Sequence, residues 1–240
     1  MSEYNNPQQM YYEAQGSLKS YIAKVFVHMG LALLVTAAIS FFGCYSFVNG
    51  GLFYAVLSRA SWLLYVVPVA ELGIAFAMGF GITKFSPAVC TLLFYLYAVL
   101  TGLTFSVLPL VYGLGTVFTA FLFAAVLFVS CAAIGYTTNV DMTKFSGLLM
   151  GGLLALVLMT VISMFVPALR ESLFIGYFGL ILFLGITAWD TQKIKHFYMS
   201  TTDGMIRDNL AVYGAFQLYL DFINIFLYVL RILARSRSRD

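Results

Sequence analysis

Long apolar runs recur along this chain and limit what it can fold into. Seven segments are each long enough to cross the hydrocarbon of a bilayer as a helix. Of the 240 residues, 62% are hydrophobic and only 10% are charged. The segments are apolar all round, whereas helices of a soluble protein this size would keep a charged face. The sequence therefore predicts an all-α membrane protein with a single domain.

The apolar segments divide the chain into a predicted membrane domain and two tails. Residues 1–17 are polar and are expected to form a disordered tail. Because this tail lacks the basic region and cleavage pattern of a signal peptide, we expect the first apolar segment to remain as a membrane helix. Residues 18–232 would form the seven-helix domain, and residues 233–240 a basic tail. The predicted helices cover residues 19–43, 61–82, 87–112, 115–136, 146–167, 172–199 and 209–232.

Basic residues in the short loops predict the orientation of the chain. With the N-terminus in the cytoplasm, most loop lysines and arginines lie on the cytoplasmic side, as membrane proteins prefer. The arginines of the C-terminal tail would then lie outside if all seven segments cross, and inside only if one segment is re-entrant. We expect seven crossings with a cytoplasmic N-terminus.

Two carboxylates lie in long apolar segments near the C-terminus, where an ionised side chain is costly and usually functional. In an antiparallel hairpin, two residues share a depth when they are equally far from the turn. Asp190 and Asp221 meet this condition for a turn over residues 200–210, about ten residues from each acid. At about 1.5 Å per residue this distance is about half the hydrocarbon thickness. The sequence therefore predicts that the two acids face each other near mid-membrane.

The last predicted helix carries a polar stripe on one face. Its members recur at intervals of three and four residues, which places them on one side of a helix. Such a stripe normally faces the bundle interior or a wet cavity. The alternative is a hydrogen-bonded seam between helices with no transport role. The stripe consists of Tyr213, Gln217, Asp221, Asn224, Tyr228 and Arg231.

A third acid, Glu71, lies near the middle of the second predicted helix, three residues after Pro68. Since proline lacks an amide donor, a carbonyl in the preceding turn is left free. Glu71 is a candidate ion contact, and the alternative is a protonated acid bonded to a neighbouring helix. The cysteines and histidines have no metal-ligand spacing. No nucleotide, flavin or haem motif is present, so we expect neither an organic cofactor nor a nucleic-acid partner.

Two carboxylates close together in a low dielectric cannot both ionise cheaply, so Asp190 and Asp221 should titrate as a unit and sense pH. When ionised, they offer the hard oxygen ligands that suit Ca²⁺, which makes them a candidate transient Ca²⁺ site. An intramembrane aspartyl protease would use a similar pair. Such proteases resemble Tyr-Asp on one helix and Gly-x-Gly-Asp on the next, whereas here the acids follow Trp189 and Leu220. We therefore expect no enzymatic activity.

Both acids lie in motifs that are specific to one family. These are Ala188-Trp189-Asp190-Thr191-Gln192-Lys193-Ile194-Lys195 and Leu218-Tyr219-Leu220-Asp221-Phe222-Ile223-Asn224-Ile225-Phe226-Leu227. The chain thereby resembles the Bax inhibitor-1 family, also called the transmembrane Bax inhibitor motif family. Supporting resemblance extends over nearly the whole chain after the N-terminal tail, at Gly102, Tyr112, residues 135–138, Asp141 and residues 151–156.

The resemblance implies a seven-helix bundle whose central C-terminal helix is enclosed by the others, and a pH-sensitive Ca²⁺ leak. The paired aspartates of the family match Asp190 and Asp221, and its membrane-embedded glutamate looks like Glu71. In bacterial relatives an arginine near the end of the second helix latches the aspartate pair when closed. Here residues 72–83 contain no basic residue, and the first cation is Lys84. Lys84 is therefore a possible latch, weaker because lysine cannot bind a carboxylate bidentately.

Two other functions remain open from the sequence. Exchange of Ca²⁺ for protons would use the same residues as a leak. A non-transporting regulator of other membrane proteins, or of their turnover, would need lipid-facing small residues and membrane-protein partners. For a leak, the expected partners are the lipid bilayer, Ca²⁺ and protons. Short loops and the lack of targeting signals resemble a bacterial member located in the plasma (inner) membrane.

Overall fold

The computed structural model describes residues 7–60, 62–166 and 172–237, and these contain helices and no strand. Residues 1–6 and 238–240 of the two predicted tails lie outside the described residues. So do residues 61 and 167, at which two of the predicted helices were expected to begin and end.

Nine α-helices and one 3₁₀ turn make up the described part of the chain. In chain order the α-helices are α1 (Pro7–Val48), α2 (Leu52–Arg59), α3 (Leu63–Gly81), α4 (Pro87–Phe105), α5 (Leu108–Tyr112), α6 (Leu114–Thr137), α7 (Ser146–Phe165), α8 (Leu173–Met199) and α9 (Gly204–Arg237). The 3₁₀ turn, Met142–Phe145, precedes α7.

In the described part of the chain, six helical segments are long and apolar enough to cross a membrane: Ser17–Val48, Pro87–Tyr112, Leu114–Thr137, Met142–Ser163, Leu173–Met199 and Gly204–Ser236. The second predicted helix corresponds to a shorter apolar segment, Val66–Gly81 in α3. The all-α membrane fold is thus confirmed, while the seventh crossing stays a prediction. The short helix α2 was not predicted. Its eight residues form only about two turns, which is too short for a helical pattern to be distinguished from a loop between longer spans.

Helix α9 lies at the centre of the bundle. It packs against α1, α4, α6 and α8, and its apolar side chains are mostly buried. The surrounding helices expose large apolar side chains, for example Leu34, Phe80 and Leu148. Because the outer surface is apolar and the middle helix is covered, lipid is the natural solvent for this bundle. The expectation of a central C-terminal helix is confirmed.

Both ends of the membrane domain are more helical than the sequence predicted. Helix α1 begins at Pro7 and so includes residues 7–17 of the predicted N-terminal tail. Helix α9 continues to Arg237 and includes most of the basic tail. Adding a residue to an existing helix costs much less than starting one, so polar residues of fair helix propensity can extend an apolar span.

Asn209 joins the beginning of α9 to the end of α3. Its buried amide nitrogen donates hydrogen bonds to the carbonyls of Ile82 and Phe85, each at 2.8 Å. Next to it, Asp208 forms an exposed ion pair with Lys24 of α1, at 2.7 Å. The start of the central helix is therefore held to α1 and to the turn after α3.

We expect Asn209→Leu to lower the free energy of unfolding by about 2 kcal/mol, because two carbonyls lose their shared donor in a buried setting. The measurement is denaturant unfolding of the purified protein in detergent micelles. Asn49→Ala is the control, since the Asn49 amide is exposed in the turn after α1 and bonds the Tyr45 carbonyl of the adjoining helix end. Its effect should stay below about 0.5 kcal/mol. If the two variants lost the same free energy of unfolding, this role of Asn209 would be contradicted.

Candidate functional site

Helices α8 and α9 form an antiparallel hairpin with the predicted register. Phe197 packs on Tyr213 with ring centroids 6.3 Å apart. Deeper in the pair, Lys193 donates to Gln217 at 3.5 Å. Further along, Phe183 stacks on Tyr228 at 5.9 Å. Each pair is centred on residues 205–206, as predicted, and so are Asp190 and Asp221. The turn itself is shorter than the predicted 200–210, because α8 ends at Met199 and α9 already begins at Gly204, so these centres lie in the first turn of α9.

The two aspartates are buried together in this hairpin. Asp190 is 5% exposed and Asp221 is 3% exposed, and the two carboxylates interact electrostatically. The hydroxyl of Thr187 lies beside Asp221 and also donates to the Phe183 carbonyl one turn earlier, at 2.7 Å. Within the described residues, Oδ1 of Asp190 and Oδ2 of Asp221 are buried and accept no hydrogen bond. Since a buried charge without partners is costly, this site favours either protons or a bound cation.

The basic residue next to the pair is Lys193. Its Nζ lies 3.7 Å from Oδ1 of Asp190, an ion pair too long for a hydrogen bond. The same ammonium lies 5.2 Å from the ring centroid of Trp189 and 5.5 Å from that of Phe197, and it interacts electrostatically with Asp221. Lys193 was not among the site residues predicted from the sequence. Its spacing of three residues from Asp190 on one helix was the available signal.

Lys84, the possible latch, lies exposed in the turn after α3. No hydrogen bond or ion pair among the described residues joins it to Asp190 or Asp221. The structure therefore brings Lys193, and not Lys84, to the aspartate pair.

The remaining stripe residues lie along the interface with α8. Tyr213 and Gln217 contact Phe197 and Lys193, as described above. Asn224 turns back on its own helix and donates to the Leu220 carbonyl at 2.8 Å. The half-buried Asn224 thus has one of its two amide hydrogens committed, and its carbonyl oxygen remains a potential neutral ligand.

Glu71 lies in a different cluster from the aspartates. Its carboxylate accepts a hydrogen bond from Thr104 of α4 at 3.3 Å, and Thr101, Tyr97 and Tyr219 are its other polar neighbours. No hydrogen bond or ion pair of the described residues connects Glu71 with either aspartate. Residues 219 and 221 point in nearly opposite directions from a helix, so α9 carries one polar cluster on each side.

Tyr219 connects the Glu71 cluster to α1. Its hydroxyl lies 2.7 Å from the Thr36 hydroxyl, which in turn lies 2.9 Å from the Ala98 carbonyl of α4. The ring packs edge to face on Phe94 and Tyr97, with centroids 5.6 and 6.0 Å away. Movement of α9 would therefore disturb both clusters together.

Gln192 anchors the loop between α6 and α7, a role that the sequence analysis missed. Its amide nitrogen donates to the Val140 carbonyl at 2.8 Å, and its amide oxygen accepts from the Met142 backbone at 2.8 Å. Lys195 hydrogen-bonds the Tyr136 carbonyl at the end of α6. The residues around Asp190 are therefore fixed from α6 as well as from α9. A side chain's bond to a loop about fifty residues away leaves no local sequence signal.

Asp141 lies at the end of this loop, directly before the 3₁₀ turn and outside the membrane-spanning segments. Its carboxylate accepts hydrogen bonds from the Thr143 hydroxyl at 2.5 Å and the Thr143 backbone at 3.0 Å. These bonds to the ionised form lower the pKa of Asp141 below its ordinary value. Asp141 is therefore ionised at neutral pH and caps the 3₁₀ turn before α7.

Two carboxylates alone form a sparse cation site. Among the described residues no group of three or more His, Cys, Asp or Glu side chains could hold a metal ion. Ca²⁺ usually takes six to eight oxygen ligands, so an ion at Asp190 and Asp221 would need water and neutral oxygens as well. Such a site suits brief binding of a passing ion better than permanent retention.

The fold and this site define an all-α membrane protein with an acid pair buried beside its central helix. Comparison with known proteins gives the family: residues 18–238 match the family described as "Inhibitor of apoptosis-promoting Bax1". This chain belongs to the Bax inhibitor-1 family, as its two aspartate motifs indicated.

Its relatives include bacterial membrane proteins of similar length. The chain is 32% identical over 227 residues to the inner membrane protein YbhL of Escherichia coli, covering 94% of this chain and 95% of YbhL. It is 33% identical over 223 residues to an uncharacterized protein of Rickettsia prowazekii, covering 92% of each chain. An uncharacterized protein of Deinococcus radiodurans is also 33% identical over 223 residues, with 93% of this chain and 92% of the relative covered.

Proposed function

We propose that this protein is a pH-sensitive Ca²⁺ leak channel of a bacterial inner membrane, with its N-terminus in the cytoplasm. The observation that carries the proposal is the joint burial of Asp190 and Asp221, each with one carboxylate oxygen that accepts no hydrogen bond from the described residues. An intramembrane acid of this kind marks an ion or proton pathway by default. The positive-inside preference supports the orientation.

Protonation would switch the cation site. When both acids are ionised, they attract a divalent cation into the hairpin between α8 and α9. When they are protonated, this attraction is lost, and a protonated carboxyl can instead donate a hydrogen bond to a neighbour. Flux should therefore rise as the pH rises through the range in which the pair loses its proton. No source of energy is required, because Ca²⁺ moves down its own gradient.

Glu71 would serve a separate step on the other side of α9. Its cluster contains four hydroxyl groups, those of Thr104, Thr101, Tyr97 and Tyr219, which can carry protons or replace water around an ion. Because Tyr219 and Asp221 are two residues apart on one helix, a rotation of α9 would change both clusters. We propose that Glu71 assists passage, with Gln217 and Asn224 as neutral oxygen ligands nearer the aspartates.

The test is Ca²⁺ influx into dye-loaded liposomes that contain the purified protein, at a series of pH values from about 6 to 8 with the proton gradient clamped. We expect influx above that of protein-free liposomes, increasing towards alkaline pH. Influx that requires an opposing proton gradient would instead identify a Ca²⁺/H⁺ exchanger. A folded protein that moves no Ca²⁺ at any of these pH values would contradict both.

A regulator of other membrane proteins is the second candidate, and one feature of α7 favours it. Gly147 and Gly151 are exposed, and a Cβ added at either position would meet nothing within 4 Å. Ala155 continues the same exposed face. Small residues spaced by four on a lipid-facing helix allow another transmembrane helix to approach closely. The liposome assay separates the candidates, since a regulator without transport would produce no influx.

A further inference from the structure

Lys193 places a positive charge next to the buried aspartate pair, on its more exposed side. Its side chain is 30% exposed, compared with 7% for Asp190. Lysine has a long flexible stem and can move its ammonium towards a more polar region while the stem stays packed. Of the two partners, Lys193 is therefore the one with room to leave.

Other side chains around Lys193 can hold its ammonium when it moves away from the carboxylates. Trp189 and Phe197 lie one turn before and one turn after it on α8, and both rings are within cation–π range. From the facing helix, the Gln217 oxygen accepts a hydrogen bond at 3.5 Å. The ion pair with Asp190 could therefore break while these other contacts continue to hold the charge.

Charge balance makes Lys193 and a divalent cation competitors. With both aspartates ionised, Lys193 neutralises one of the two negative charges. A Ca²⁺ ion bound between the carboxylates would neutralise both, and would repel an ammonium only a few ångströms away. A Ca²⁺ ion between the carboxylates and the Lys193 ammonium beside them thus repel each other, so binding of one disfavours the other.

We infer that Lys193 is a tethered counter-ion that closes the aspartate pair, and that an entering divalent cation must displace it. This inference rests on the proposed cation site at Asp190 and Asp221. It assigns the latch to α8 itself, within the same motif as Asp190, in place of a basic residue from the second membrane segment. The affinity of the site for a cation is accordingly set by competition with Lys193.

The experiment measures cation affinity directly, without flux. The chain has two tryptophans, Trp62 and Trp189. In a Trp62→Phe background, Trp189 is the only tryptophan left. Because it is next to Asp190, it can transfer excitation energy to a Tb³⁺ ion bound at the aspartates. Tb³⁺ luminescence is excited at the red edge of the tryptophan band, in lipid nanodiscs at about pH 8. Ca²⁺ is then titrated against Tb³⁺ to obtain its affinity.

We expect Lys193→Met to bind Ca²⁺ about tenfold more tightly, because a nearby positive charge has been removed from a poorly solvated site. Lys193→Gln, which retains a polar group for Gln217, should bind more tightly as well. Lys193→Arg keeps the competing charge and should bind no more tightly than the unmodified background. Lys144→Met is the matched control: the same charge is removed from an exposed lysine of the 3₁₀ turn before α7, and the affinity of this variant should change less than about twofold.

The outcomes separate this inference from the proposed function. If the background protein binds Tb³⁺ but both neutral variants bind Ca²⁺ with unchanged or lower affinity, the counter-ion role is wrong and the cation site stands. If neither the background protein nor any Lys193 variant that elutes as a monodisperse folded protein binds Tb³⁺, both ideas fail. Binding seen only after Lys193 is neutralised would support the counter-ion in its strongest form.

Discussion

Asparagine at either position 190 or 221 should lower Ca²⁺ influx by at least about tenfold at alkaline pH and flatten its dependence on pH. Asparagine keeps the size of aspartate but carries no charge, so each single variant removes half of the negative charge that attracts the ion. Each variant also removes one of the two titrating groups. The remaining acid then titrates without the repulsion of its neighbour, and the coupled response of the pair is lost.

The double variant tests whether the acids act as one unit. If they do, Asp190→Asn combined with Asp221→Asn should reduce influx little further than either single change, because groups that act together give strongly non-additive losses. Additive losses would indicate two independent sites along the path. The measurement is influx into dye-loaded liposomes at matched protein content, across the same pH series.

Asp208→Asn is the control for this series. It removes the same charge from α9, the helix that carries Asp221, but Asp208 lies at the exposed start of that helix in an ion pair with Lys24. Influx should stay within about twofold of the wild type, since exposed ion pairs contribute little. If Asp190→Asn and Asp221→Asn both unfold at the normal temperature and both retain wild-type influx, the aspartate pair is not the ion site.

Much of this architecture could be predicted because membranes impose simple rules on sequence. Hydrocarbon thickness fixes the length of apolar spans, and the symmetry of a hairpin fixes which residues share a depth. These two rules located the spans and placed Asp190 opposite Asp221. The rules say less about helix ends, where α1 extends to Pro7 and α9 to Arg237. Helix ends depend on the cost of elongation in polar surroundings, which apolar patterns do not report.

The finer composition of the site depended on side-chain directions that hydropathy does not contain. Glu71 was expected on the ion path with the aspartates, yet its partners are Thr104 and residues on the opposite side of α9. Lys193 was named only as part of the Asp190 motif, whereas it pairs with Asp190. Asn209 and Gln192 bond backbone groups of distant loops. A single sequence does not indicate such pairings before the helices are packed.

Gly135→Ala should destabilise the protein by a net amount of about 1 to 2 kcal/mol and lower Ca²⁺ influx, although the substitution adds only one methyl group. Gly135 of α6 faces the backbone of α8, and a Cβ there would overlap the Ala188 carbonyl group and lie 2.8 Å from the Ala188 Cα. Because the obstructing atoms belong to the backbone, no side-chain rotation can make room for the methyl. Overpacking of this kind costs about 1 to 3 kcal/mol, so the helices must separate.

The consequence for function follows from where the two helices touch. Ala188 is two residues before Asp190, and Lys195 bonds the Tyr136 carbonyl just beyond Gly135. Displacing α8 here would move Asp190 relative to Asp221 on α9. Influx should therefore fall even under conditions in which the variant remains folded. Denaturant unfolding in micelles and the liposome assay measure the two effects separately.

Gly151→Ala is the matched control, and its predicted effect on stability has the opposite sign. A Cβ at Gly151 meets nothing within 4 Å, so the added methyl costs no packing. Alanine favours the helix over glycine by up to about 1 kcal/mol, and α7 should become slightly more stable with unchanged influx. The Gly135 variant gains the same propensity, so a net loss there isolates the clash between α6 and α8. If Gly135→Ala were as stable as Gly151→Ala, the close approach of these helices beside Asp190 would be wrong.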